Sequence, residues 1–155
     1  MIVVSDTSPL TSLLQIGHEH VLVDLYGQVI IPEAVERELR HANSRLPPFL
    51  KVVAARDRQK VERLEGEIDS GEAEAITLAM EIGADVLLID EKRGRGVALR
   101  EGVPVVGLLG VLIVAKKKGL INSLEQILDD LAATADFRLA PQLKSRALRE
   151  TGERS

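Results

Sequence analysis

The 155-residue sequence contains no cysteine and no tryptophan. Without thiols it can form no disulfide, no thiolate zinc site and no cysteine nucleophile. Aromatic residues make up only 2 % of the chain, so the core must be built from Leu, Val, Ile and Ala, and stacking cannot be the main way of holding bases. No apolar run approaches the ~20 residues of a membrane-spanning helix. The opening Met1-Ile2-Val3-Val4 is far too short for a signal peptide, so a cytoplasmic location is the default expectation. Positive charge is not in excess either. The net charge of −4 argues against a dedicated duplex-DNA binder with a basic face, while leaving room for an acidic site that cations would neutralise.

What is present is a hydrophobic content of 45 %, enough for one folded domain with a real core. We expect that domain to span residues 1–150, with residues 151–155 fraying. Short buried strands are predicted at Ile2–Val4, Val29–Ile31, Val86–Ile89 and Val103–Val106, with Leu50–Val53 as a fifth short strand or extended edge. Helices are predicted between them. One runs from Pro9 to Ile16 with Ser8 as cap, one from Val21 to Tyr26, one from Glu33 to Ala42, and one from Arg56 to Ile68. A further helix is capped by Ser70 and ends before Gly83-Ala84-Asp85. The remainder cover Val97–Arg100, Val111–Lys118, Leu124–Ala133 and Pro141–Glu150. Glu91 to Gly96 and Gly107-Leu108-Leu109-Gly110 read as loop and turn. Alternating strands and helices imply an α/β fold, a three-layer αβα sandwich around a mostly parallel sheet of about four to five strands.

Four acids stand out against this frame. Asp6 and Asp90 each follow an apolar strand closely, and ligands of parallel sheets bind at the carboxyl ends of strands. On a helical wheel Glu72 falls in the apolar arc of Ile76, Ala79, Met80 and Ile82, whereas Glu74, Thr77 and Glu81 form a polar stripe opposite. Glu38 lies between the Ala34 and Ala42 directions, on the apolar side of its helix. Each acid alone has an ordinary reading: Glu72 complements a helix dipole, and Glu38 is a boundary residue paired with a surface arginine. Four carboxylates at one rim are harder to dismiss, since each pair ~5 Å apart would repel by about 3 kcal/mol at an effective dielectric of ~20. A hard divalent cation relieves that repulsion, and an all-oxygen donor set favours Mg²⁺ or Mn²⁺.

The same segments resemble a known family. Val3-Val4-Ser5-Asp6-Thr7-Ser8-Pro9-Leu10 is similar to the first strand and first acid of PIN domains, the metal-dependent ribonuclease fold of many toxin–antitoxin toxins. Ile31-Pro32-Glu33-Ala34-Val35-Glu36-Arg37-Glu38-Leu39 resembles the second motif. Gly71-Glu72-Ala73-Glu74-Ala75-Ile76 with Leu87-Leu88-Ile89-Asp90-Glu91, and the Gly107–Gly110 turn, resemble one PIN-like branch, mostly described as a domain of unknown function. The resemblance covers Ile2 to about Leu131. It implies a catalytic cluster of Asp6, Glu38, Glu72 and Asp90, with Asp6, Asp90 and Glu72 as metal ligands and Thr7 or Ser8 steadying the cluster through a hydroxyl. Typical members carry Asp where Glu72 stands, so Glu74 could substitute for it, and Glu91 is a further candidate.

The implied activity is cleavage of single-stranded RNA by a Mg²⁺- or Mn²⁺-activated water, in a homodimer with a small antitoxin as a further partner. Lys92, Arg93, Arg95 and Arg100 are the side chains expected to meet RNA phosphates. The alternative is a catalytically inactive PIN-like module that binds a protein or nucleic-acid partner.

Overall fold

A computed structural model describes residues 1–154. In chain order the elements are β1 (Val3–Ser5), α1 (Thr7–Gln15), α2 (His20–Tyr26), β2 (Val29–Ile31), α3 (Glu33–Ala42), β3 (Leu50–Val52) and α4 (Arg58–Glu65). These are followed by α5 (Ser70–Ile82), β4 (Val86–Leu88), α6 (Lys92–Arg100), β5 (Val105–Val106), α7 (Leu108–Lys117), α8 (Leu124–Thr134) and α9 (Pro141–Glu150). The five strands form one sheet in the order β3-β2-β1-β4-β5, and every neighbouring pair is parallel. Leu50–Val52 is the edge strand beside β2. No helix among the described residues is long and apolar enough to cross a membrane.

Side-chain alternation along the strands creates two cores, because successive residues of a strand face opposite sides of the sheet. Val3 and Leu88 join a cluster with Leu10 and Leu13 of α1, Leu22 of α2, Val35 and Leu39 of α3, and apolar residues of α7 to α9. Val4, Leu87 and Ile89 join the opposite cluster with Val61 and Leu64 of α4, Ala73 and Ile76 of α5, and Val97 and Ala98 of α6. Helices therefore cover both faces, which is the predicted three-layer sandwich.

The fifth helix has no solvated stripe over most of its length, since Gly71 through Ala79 are all buried. Its small residues, Gly71, Ala73, Ala75 and Ala79, let α3, α4 and the sheet close in around it. Of the polar stripe expected at Glu74, Thr77 and Glu81, the first two are buried and Glu81 is exposed. Glu74 accepts a hydrogen bond from the first-turn N–H of Ala34 (2.9 Å). Glu81 accepts from the N–H groups of Arg56 and Asp57, just ahead of α4. Gly83 closes the helix in the left-handed conformation, at φ 62°, as a C-terminal glycine does.

The first long helix starts at Thr7 behind Asp6, not at Pro9 behind Ser8, which lies inside it, and three further local expectations change. The cap of α5 is Asp69 rather than Ser70: its carboxylate accepts from Glu72 N–H, while Glu72 reaches back to Asp69 N–H in a reciprocal capping box. The segment after Asp90 is helical from Lys92, with Gly94 inside α6 and Gly110 inside α7. These glycines mark close contact rather than a turn. A Cβ at Gly94 would overlap Glu72 Oε2, and one at Gly110 would lie 2.9 Å from Val106 Cγ2. Finally, residues 151–154 do not fray. The Thr151 hydroxyl donates to Ala147 O, and the Glu153 carboxylate accepts from Leu124 and Glu125 N–H at the start of α8. Ser155 lies outside the described residues.

Candidate functional site

Parallel pairing of β1 with β4, in which Ser5 is matched to Leu88, brings two acid-bearing chain ends to one rim. Asp6 follows directly and donates its backbone N–H to Leu88 O (2.9 Å). It then serves as the first residue ahead of α1, with its side chain only 6 % exposed. The pKa of its carboxyl rises from 3.8 to about 7. Burial is the main cause, and the like charges of Asp69, Glu38 and Asp90 add to it. Those three acids therefore share its surroundings.

Glu38 reaches the site from α3. A Cβ placed on Gly71 would lie 2.5 Å from Glu38 Oε1 and 3.5 Å from Asp6 Oδ1. The two carboxylates thus face the same bare backbone at the start of α5, in a cradle that any larger residue would fill. Its wheel position predicts a buried face, but Glu38 is open to solvent and extends back over Gly71. Long side chains can cross such a boundary because only the head must reach the site.

Asp90 closes the other side. Its Oδ1 accepts from the Leu108 N–H at the start of α7 (2.7 Å). Burial raises its pKa, while the Leu108 hydrogen bond and the charge of Arg95 pull the other way. Asp90 Oδ1 and Arg95 Nη1 both lie over Gly107, 3.0 and 2.7 Å from where a Cβ would stand.

Glu72 is buried as its wheel position predicts, at 5 % exposure, but its immediate partner is Asp69. Its Oε2 lies against Gly94 and has no hydrogen-bond partner among the described residues. Burial raises its pKa, and Asp69 and Asp6 add to the rise. Glu74 is brought elsewhere. Besides Ala34 N–H it binds Arg58 Nη2 at 3.1 Å, with Arg37 at 4.0 Å. Its acceptor capacity is committed to holding α3 and α4 against α5.

Thr7 Oγ1 is buried without a partner among the described residues, and Ser8 is exposed. Glu91 is exposed at the residue ahead of α6. Of the four basic candidates, Lys92 and Arg93 project from the first turn of α6 into solvent and Arg95 stands beside Asp90. Arg100 is occupied by a two-pronged bond to Glu67 (2.8 and 2.7 Å) and a longer one to Glu101.

Sequence reasoning missed Asp69, whose Asp-x-x-Glu spacing with Glu72 is a readable capping signature, and Gly71, whose role appears only once Glu38 and Asp6 are in space.

The donor chemistry at the rim is all carboxylate, which fits a hard divalent cation. The shared cradle over Gly71 and the unpartnered Glu72 Oε2 fit it too. Among the described residues, no three acids or histidines are already gathered closely enough to hold an ion. A PIN-domain family model matches residues 2–153. The chain belongs to the PIN-domain family. No curated protein matches the sequence. The family carries a nuclease-type fold whose members generally depend on divalent metal, and the parallel sheet with helices on both faces agrees with it.

Proposed function

We propose that this PIN domain is a Mg²⁺- or Mn²⁺-dependent endoribonuclease acting on single-stranded RNA. The observation that carries this reading is the convergence on Asp6: its carboxyl is buried at the rim and surrounded by Glu38, Asp69 and Asp90. Such mutual repulsion is costly unless positive charge enters. Asp6, Asp90 and Glu38 would hold the cation, with Glu72 reaching it by leaving Gly94. A bound divalent ion would supply an activated water and offset charge developing on the phosphate.

The chain's own groups have definite tasks. The Leu108 N–H fixes one oxygen of Asp90, so that acid is oriented before substrate arrives. Arg95, beside Asp90, supplies a fixed positive charge for a phosphate, and Lys92 and Arg93 extend that charge outward. A role as the toxin of a toxin–antitoxin pair, with a small antitoxin and a homodimeric assembly, belongs to the same proposal.

The test is cleavage of single-stranded RNA by purified protein with Mn²⁺. Wild type should cut, and both chelator and Asp6→Asn should abolish cutting. Equal trace activity in wild type and Asp6→Asn would identify a contaminant and sink the reading. The inactive binding module is favoured by one observation, the capture of Glu72 in the capping box with Asp69. It requires RNA or protein binding that Glu38→Gln and Glu72→Gln leave intact, with no cutting by wild type.

A further inference from the structure

A cleft of about 370 Å³ opens beside Asp90, near the lower end of the roughly 300–1,000 Å³ of small-ligand sites. Its walls come from three separate stretches. Ser8 and Ser12 line it from α1, Asp90, Glu91 and Lys92 from the approach to α6, and Asp136 and Phe137 from the link between α8 and α9. A larger cavity of about 590 Å³ lies away from Asp6 and Asp90, and its two carboxylates are already committed, Glu81 to the Arg56 and Asp57 N–H groups and Asp57 to Lys60 N–H. The cleft at Asp90 is different, because it combines an acid of the candidate metal site, a lysine, two hydroxyls and an aromatic ring.

That ring is one of only three aromatic side chains in the protein, two Phe and one Tyr. Phe137 is half-buried. Part of it packs on the core beside α8, and the remainder borders the cleft. Its position is fixed at the backbone: Phe137 N–H donates to Leu131 O (3.1 Å), and the preceding Asp136 takes the left-handed conformation, at φ 53°. Arg138 pairs with Asp136 (3.4 Å) at the exposed edge of the cleft, and Lys92 stands next to Glu91 in its lining.

The geometry points to this cleft as the seat of one RNA base flanking the phosphate that Lys92 would meet, with Phe137 as its stacking platform. The inference rests on the proposed ribonuclease function and extends it to how substrate is gripped. A base stacked on Phe137 would leave Ser8 and Ser12 to bond its polar edge, since hydroxyls both donate and accept. Lys92 would meet the adjoining phosphate. Stacking tolerates any base, because every base has a flat face, so the subsite secures single-stranded RNA without demanding a sequence. Duplex RNA, whose bases are already stacked and paired, offers it nothing.

The test separates grip from cutting. A labelled single-stranded RNA of about ten nucleotides is titrated into Asp6→Asn protein, followed by anisotropy. Phe137→Tyr and Phe137→Leu are introduced in the same background, and inorganic polyphosphate serves as a probe that has phosphate but no bases. We expect Phe137→Tyr to bind RNA like its parent and Phe137→Leu to bind it roughly tenfold more weakly, with polyphosphate binding unchanged in both. The leucine keeps the packing against α8, and an unchanged melting temperature checks that it does. Unchanged RNA binding in Phe137→Leu, or equal loss of RNA and polyphosphate binding, overturns the subsite. If wild type cuts RNA in that case, the ribonuclease reading survives alone. If wild type neither cuts nor binds RNA, both fall.

Discussion

At the scale of single residues, the site depends on what is missing at Gly71. Its φ is not in the left-handed range, so the backbone does not demand glycine there; the space does. Alanine would place a methyl 2.5 Å from the present Glu38 Oε1. Because that oxygen is the tip of an exposed, flexible side chain, it would swing away rather than unfold the helix. Replacing a helical glycine by alanine is worth ~0.5–1 kcal/mol of stability. Gly71→Ala is therefore expected to melt no lower than wild type, yet to bind Mn²⁺ and cut RNA at least tenfold less well. Weaker metal binding without loss of stability distinguishes displacement of Glu38 from general damage. Equal Mn²⁺ affinity in the two proteins would mean that the Glu38–Asp6 cradle holds no ion.

At the scale of elements, much of the chain was legible. The boundaries of β2, α3 and α9 agree with the apolar periodicity and the proline starts. Where the reading failed, it failed for a tertiary reason. Gly94 and Gly110 look like turn glycines, but Glu72 and Val106 need the room. Glu74 looks solvated on a wheel drawn from α5 alone, but α3 and α4 cover that side. The tail looks unanchored because nothing local to it reveals that Glu153 meets the open N–H groups of α8, some thirty residues earlier.

That last contact has a measurable consequence. Burial alone would raise the Glu153 pKa, but the N–H groups of Glu125 and Leu124 and the Lys116 ammonium (3.2 Å) outweigh it and hold it below the usual range. A lowered carboxyl pKa adds stability at neutral pH that is lost as pH falls through it. Glu153→Ala should therefore cost about 1–2 kcal/mol at pH 7, the scale of a lost helix cap, read as a lower urea midpoint. The difference from wild type should shrink toward pH 3. An unchanged midpoint at pH 7 would show that residues 151–154 add nothing to the fold.

At the scale of the whole molecule, the sheet order turns two distant chain segments into one site. Asp6 and Asp90 were readable as strand-end acids, because the carboxyl ends of adjacent parallel strands share a rim. Glu38 is readable as an inward acid from the apolar side of α3, but its exposed position and its reach over Gly71 are not, nor is Asp69, since these depend on how α3 and α5 cross. The resulting cluster sets a pH dependence with a definite sign. Asp6 ionises near 3.8 when unfolded and near 7 when folded. Across that interval the folded state holds the extra proton, so stability falls as pH rises. Asp90 and Glu72 are raised too and act in the same direction. A cation among these acids would reverse the loss, because it favours their charged forms and binds only the folded state.

The most direct test is therefore the melting temperature at pH 8, in chelator and with Mn²⁺ at roughly a hundred times its dissociation constant. Wild type should gain about 5–10 °C from the metal. Asp6→Asn should melt above wild type in chelator, being relieved of a buried charge, and should gain nothing from Mn²⁺. A wild type that ignores Mn²⁺, or an Asp6→Asn protein that gains as much as wild type, would contradict a cation site at the rim of this sheet.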